Sequence, residues 1–203
     1  MFTVYDLKPR FQARLRPLVR GLAAAGVTAN QVTLAAVGLS LVAATAIAVL
    51  PGHRAALLIY PAVLFLRMAM NAIDGMLARE HGQKSRLGAL LNEVGDVVSD
   101  AALYLALVPA LAPLGAHAVP IVLFVLLAVL TEFAGVLGET IGGARRYEGP
   151  MGKSDRAAAI GLLAFCLAIG LPGGFWLDIV FWLLAGLAAF TAYRRGRRAL
   201  ETA

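Results

Sequence analysis

An all-α fold threaded repeatedly through a membrane is what this sequence predicts, and two features carry the prediction. The first is composition: of 203 residues, 60% are hydrophobic and only 15% charged, with a mean hydropathy of +0.79, far more apolar than an ordinary soluble domain. The second is length: apolar runs of the roughly 20 residues that cross a bilayer recur along the chain. They cover 31–50, 55–78, 87–112, 118–142, 157–171 and 175–193, six spans of which the fifth is the shortest.

Residues 1–25 precede the first span and interleave Phe2, Val4, Leu7, Phe11, Leu15, Leu18 and Val19 with Lys8, Arg10, Arg14, Arg16 and Arg20. That is the pattern of an amphipathic helix lying on anionic headgroups; plain basic flanking of a first span is the alternative. Basic residues continue to Arg20 with no early apolar core and cleavage site, so no signal peptide is expected. Among the connections, PGHR, APLGAH and LPGG are short and nearly chargeless. Every Lys and Arg except Arg54 and Arg67 falls before the first span, within 79–86, within 145–156 or after residue 193. Basic loops stay cytoplasmic, so both termini and the 79–86 and 143–156 loops should face the cytoplasm, in a multi-pass protein of the inner (cytoplasmic) membrane. The same distribution accounts for the +6 charge without a nucleic-acid partner. The single cysteine, Cys166, forms no intrachain disulfide. With no internal repeat or low-complexity linker, residues 1–203 read as one membrane-embedded domain: an interfacial helix (1–25) and a six-helix bundle (26–203).

The chemistry gathers in NAIDGMLAREHGQKSRLGALLNEVGDVVSD, residues 71–100, which holds Asp74, Glu80, Glu93, Asp96 and Asp100 in a chain whose first 70 residues contain only Asp6 as an acid. A charge within the hydrocarbon costs roughly 2.5–3.5 kcal/mol on insertion scales, so intramembrane acids mark a site by default. Asn71 and Asp74 end the second span; Asn92, Asp96 and Asp100, four apart, stripe the third. A short turn joins the two helices, so their polar stripes should converge on one pocket near the cytoplasmic surface. Gly75, Ala78 and Gly88 beside them let backbones or a flat ligand come close. Oxygen ligands from facing helices suit a hard divalent cation, Mg²⁺ or Mn²⁺, and such ions serve phosphate chemistry. Arg79 reads as a phosphate-facing cation at the mouth.

These residues resemble the signature of the CDP-alcohol phosphatidyltransferases, D-x-x-D-G-x-x-A-R-x8-G-x3-D-x3-D, across positions 71–96: Asp74-Gly75, Ala78-Arg79, Gly88 after eight intervening residues, and Asp96. The resemblance implies a transferase of phospholipid biosynthesis. A CDP-linked lipid or alcohol such as CDP-diacylglycerol is bound through two metal ions on four aspartates, an acceptor hydroxyl attacks phosphorus, and CMP leaves. Carried over by position, Asp74 is a metal ligand and Asp96 a ligand and the base. Gly75, Ala78 and Gly88 admit the cytidine and diphosphate, with Arg79 beside them. A homodimer is also implied.

Asn71 and Asn92 stand where the first and third aspartates belong. An amide oxygen still ligates a hard cation but brings no charge, so this set supplies −2 where four carboxylates would match two divalent ions. A substrate diphosphate could offset the rest, metal and donor loading together, and fewer or weaker metals than the family norm are expected. Asp100, one turn past Asp96, and Glu93, about 100° away from Asn92, are the nearest substitutes.

Elsewhere, Glu132 and Glu139, seven apart in the fourth span, either support the site from the bundle interior or hydrogen-bond between helices. Gly138 and Gly142 form a GxxxG, a packing or dimerisation motif. Lys153 and Arg156 either hold a donor or acceptor phosphate or merely obey the positive-inside rule. Arg67, on Asp74's face, should pair with a buried acid. His53, His81 and His117 read as solvated, and no Ser-His-Asp set or Lys-Ser/Thr phosphate loop supports a hydrolase or NTPase. The expected function is transfer of a phosphatidyl or related phosphoalcohol group from a CDP-activated donor to an acceptor alcohol: glycerol phosphate, serine, inositol phosphate or a second lipid. The alternative is a catalytically silent lipid- or nucleotide-binding membrane protein on the same scaffold. A small transporter fits less well, because the acids cluster at one edge rather than at the midplane.

Overall fold

The computed structural model describes residues 4–141 and 143–201, residues 4–10 through their backbone only. The described residues are helical with short connections and no strand. The order is α1 (Val4–Ala24), α2 (Ala29–Ala48), a 3₁₀ turn (Arg54–Leu58), α3 (Ile59–Glu80), α4 (Arg86–Leu105), α5 (Leu107–Leu111), a second 3₁₀ turn (Ala112–Leu114), α6 (Ala118–Thr140), α7 (Lys153–Ala168) and α8 (Trp176–Leu200). Among the described residues five segments are long and apolar enough to cross a membrane: Ala29–Ala48, Arg54–Glu80, Arg86–Leu114, Ala118–Thr140 and Trp176–Leu200. The segment expected as the fifth of six falls short, because α7 has 16 residues, about 24 Å at 1.5 Å per residue against a hydrocarbon core of about 30 Å.

Cα packing divides the chain into two compact units: residues 1–40 with 63–99, and 41–62 with 100–203. In the first, local signals start the helices. Thr28 and Gln31 cap α2 reciprocally, the Thr28 N–H donating to Gln31 Oε1 at 2.9 Å and the Gln31 N–H to Thr28 Oγ1 at 3.2 Å. Ser85 caps α4 by accepting from the Gly88 N–H at 2.9 Å. Gly82, at φ +69°, ends α3 in the left-handed conformation that lets the chain turn within a few residues. The apolar stripe of α1 does more than meet lipid: Val19 is fully buried with Val32, Ile73, Met76 and Leu77, and Leu15 and Leu22 pack on that cluster. Leu18, Arg14 and Arg20 stay exposed, while Arg16 makes a two-pronged pair with Glu80, both contacts at 3.0 Å. Phe2 lies outside the described residues, as do the side chains of Val4, Leu7, Lys8 and Arg10.

In the second unit α6 packs along α8, with Tyr104, Phe124 and Phe181 stacked through its core at centroid distances of 5.4 and 6.0 Å. The three short, nearly chargeless connections meet here. The Gly52 N–H donates to the Ala110 carbonyl at 3.3 Å, and Arg54 donates to the carbonyls of Leu167 and Leu171 at 2.8 and 2.7 Å. The His117 N–H and ring reach the two oxygens of Asp178 at 2.8 and 2.5 Å. His117 is therefore engaged as well as solvated. The expected GxxxG is used differently: a Cβ on Gly138 would lie 2.8 Å from the Ala144 carbonyl and 3.7 Å from Ala199 Cβ, so this glycine admits the chain's own loop and α8. Gly142 lies outside the described residues.

Candidate functional site

The first unit holds a cavity of about 660 Å³. Its walls are the start of α2 (Ala29, Asn30, Thr33), the end of α3 (Asn71, Asp74, Gly75, Ala78, Arg79), the turn (Gln83, Lys84, Ser85) and the start of α4 (Arg86, Gly88, Ala89, Asn92). Gln83 fastens the turn to α2, accepting from the Ala29 N–H at 2.7 Å and donating to the Val27 carbonyl at 3.3 Å.

Of the expected site residues, Asn71, Asp74, Gly75, Ala78, Arg79, Gly88 and Asn92 all line this cavity. Asp74 is 6% exposed and accepts from Thr33 Oγ1 at 2.9 Å. Gly75 matters because Arg79 folds back over it: a Cβ there would sit 2.9 Å from Arg79 Nη2. A Cβ on Gly88 would sit 2.8 Å from Asn30 Oδ1, so Gly88 keeps that amide on the wall. Asp96 is not among the lining residues. Its Oδ1 accepts from Asn71 Nδ2 at 3.3 Å and lies 3.6 Å from Arg67 Nη2, so Arg67 pairs with an acid as expected. Glu93 is also off the wall.

Five of the expected residues, Asp100, Glu132, Glu139, Lys153 and Arg156, lie in the second unit, where three of them form a buried cluster. Arg156 is 1% exposed, with Nη2 at 2.8 Å from Glu132 and 3.6 Å from Asp100, and Nη1 donating to Thr131 Oγ1 at 2.8 Å and the Met151 carbonyl at 3.1 Å. Arg195 and Arg145 also approach Glu132, at 3.4 and 3.3 Å. Arg156 is thus engaged by protein acceptors rather than offered to a phosphate. Asp100 and Glu132 are its partners rather than spare metal ligands, because burial of a guanidinium demands such neutralisation. Glu139 is exposed, and Lys153 is half-buried at the first position of α7.

The donor set decides what a metal could find here. Asp74, Asn71 and Asn92 line the cavity and carry oxygen donors, and Asp96 is bonded to Asn71, a set whose chemistry fits one hard cation. Among the described residues no group of three or more His, Cys, Asp or Glu comes together, so a four-carboxylate, two-ion arrangement does not fit. Sequence reasoning missed Asn30, Thr33, Gln83, Lys84, Ser85 and Arg86 as wall residues. The capping pattern at Thr28 and Ser85 was the available signal, since it brings both helix starts to one end.

An all-helical membrane-type fold with this constellation at the junction of α3 and α4 defines a class. The chain belongs to the CDP-alcohol phosphatidyltransferase family, whose model matches residues 26–193. It is 46% identical over 198 residues to inner membrane protein YnbA of Escherichia coli, covering 98% of this chain and 96% of that one. It is 29% identical over 203 residues to phosphatidylinositol phosphate synthase of Corynebacterium glutamicum, covering 96% and 87%. The fold is similar to that of Mycobacterium tuberculosis phosphatidylinositol phosphate synthase with CDP-DAG bound, at a TM-score of 0.76, 22% identity, and coverage of 92% and 93%. The same enzyme in complex with manganese and citrate gives a TM-score of 0.76, with coverage of 92% and 88%.

Proposed function

We propose that this protein transfers a phosphatidyl or related phosphoalcohol group from a CDP-activated lipid to an acceptor alcohol, releasing CMP. The observation that carries the reading is the cavity itself, which Asp74, Gly75, Ala78, Arg79 and Gly88 of the family signature line together with both asparagines. Support also comes from the fold's likeness to an enzyme solved with CDP-DAG bound and to the same enzyme with manganese. In the proposed reaction the acceptor oxygen bonds to the lipid-bearing phosphorus, the bond from that phosphorus to the bridging oxygen breaks, and CMP departs with that oxygen. Asp96, off the cavity wall but bonded to the wall residue Asn71, is the base that would take the hydroxyl proton once the acceptor reaches it. Asp74, with the amide oxygens of Asn71 and Asn92, would hold a divalent ion, Mg²⁺ or Mn²⁺, whose chemistry is to offset charge on the phosphoryl oxygens.

We also infer one domain of six membrane crossings in an inner membrane, with α1 on the cytoplasmic interface and the cavity opening to that side. The meeting of the three chargeless connections supports it, because α7 then runs from the Arg156 cluster to Arg54 and completes a sixth crossing. The distribution of Lys and Arg supports the orientation.

The test is CMP release from CDP-diacylglycerol by the purified protein in nanodiscs, with Mn²⁺ or Mg²⁺ and a panel of acceptor alcohols, alongside Asp74→Ala. Acceptor-dependent CMP is expected, falling about 10²–10³-fold in Asp74→Ala, the several kcal/mol that a held ion supplies. No CMP from folded natural protein would leave the scaffold as a silent binding protein.

A further inference from the structure

We infer that the protein's own cations, Arg79, Lys84 and Arg86, hold the donor's diphosphate, so that the CDP-linked donor binds without a divalent ion. The inference rests on the donor reading above and departs from the expectation that metal and donor load together.

Charge on the wall is the first ground. Arg79, Lys84 and Arg86 line the cavity and Asp74 is the one carboxylate beside them. Three cations against one acid leave two positive charges, and a diphosphate diester carries two negative ones. In a site with four carboxylates the same ligand would be repelled unless metal came first; Asn71 and Asn92 remove that repulsion.

Availability is the second ground. Among the described residues Arg79, Lys84 and Arg86 have no salt bridge, whereas the nearby Glu80 is taken by Arg16. All three are exposed at the cavity mouth. Their counterparts in the second unit differ sharply: Arg156 and Arg195 are 1% and 2% exposed and surrounded by protein acceptors. Among the described residues the buried guanidiniums of Arg156 and Arg195 are thus neutralised internally, whereas these three make no salt bridge, Arg79 sensing only the field of the adjacent Glu80.

Geometry is the third. Arg79 lies over Gly75, one turn back along α3, where a Cβ would sit 2.9 Å from Nη2 and make the guanidinium shift. Lys84 and Arg86 flank the N-terminus of the 20-residue α4, whose dipole favours the same anion. An arginine fork and an ammonium lining one cavity beside a helix N-terminus are the groups that hold adjacent phosphoryl oxygens.

The experiment is calorimetric titration of a short-chain CDP-diacylglycerol into the full-length protein in neutral-lipid nanodiscs, in EDTA and in Mn²⁺. The affinity in EDTA should be within about threefold of that in Mn²⁺, and a Lys84→Ala/Arg86→Ala protein should bind about 10–100-fold more weakly, as expected for lost charge-assisted contacts. A Lys84→Arg/Arg86→Lys protein should keep most of the affinity, which separates lost charge from lost fold. Binding in Mn²⁺ alone overturns the inference and leaves the transferase reading standing. Metal-free binding that the alanine pair does not weaken overturns the assignment to these cations. Absence of binding in both media overturns the donor reading, and the inference with it.

Discussion

Asn71 and Asp96 hold each other between α3 and α4: the amide of one donates at 3.3 Å to a carboxylate oxygen of the other, which Arg67 faces at 3.6 Å. An aspartate at position 71 could not donate that hydrogen. The asparagine therefore has a structural partner of its own, and its effect on the metal follows from the contact.

Asn71→Asp should make stability depend on metal. In EDTA the hydrogen bond to a charged group, worth about 1.5–3 kcal/mol, is replaced by repulsion between two carboxylates, and Tm should fall by several degrees. Added Mn²⁺ should restore it, with a smaller response in the natural protein. Thermal unfolding in detergent across a Mn²⁺ series measures this; a substituted protein indifferent to Mn²⁺ would show that residue 71 does not face the ion.

Thr33 should act as a positioning residue for Asp74. Its hydroxyl has one hydrogen and two acceptors in reach, the Ala29 carbonyl at 3.1 Å and Asp74 Oδ2 at 2.9 Å, and the charged oxygen is the stronger acceptor. Thr33→Val should lower the rate of CMP release by roughly tenfold, with Tm little changed, while Thr33→Ser should recover most of it. Equal losses in Val and Ser would assign the effect to packing.

Glu132→Ala should destabilise the fold by about 3–5 kcal/mol, the usual result of stripping one partner from a buried ion pair. Arg195, 2% exposed, would lose the carboxylate at 3.4 Å, and Arg156, 1% exposed, would keep only the more distant Asp100 at 3.6 Å. Unfolding of the variant in detergent gives the value. A neutral outcome would mean that the arginines find water or another acid on relaxation.

Much of this was legible from sequence, for reasons that differ between residues. Five of the six expected spans were readable because a bilayer imposes length, whereas the helix ends marked by Thr28, Ser85 and Gly82 went unread although their residue types signal caps. The signature residues were readable because they sit on two helices joined by a short turn, whose spacing fixes their faces. Contacts between distant segments were not. Thr33 and Asp74 are 41 positions apart, and nothing in either neighbourhood points to the other. Arg156 looked like a loop cation because charge counts cannot distinguish a side chain turned to water from one turned inward; its burial follows from Glu132 and Asp100 arriving from other helices. Glu132 and Glu139 share a helical face, yet only the first meets arginines. Periodicity gives direction and says nothing of how far along the helix its neighbours extend.

The grip on α7 has a consequence for how the protein is made. This helix is too short to enter a membrane on its own apolarity, and three of the groups that bind its ends, Arg54, Thr131 and Glu132, are all translated before it. If α7 makes the proposed sixth crossing, its docking points precede it in the chain, so protein contacts would recruit it where lipid alone would not. Arg54→Ala should then lower the amount of folded protein recovered from membranes more than it lowers the CMP release per molecule of whatever folds.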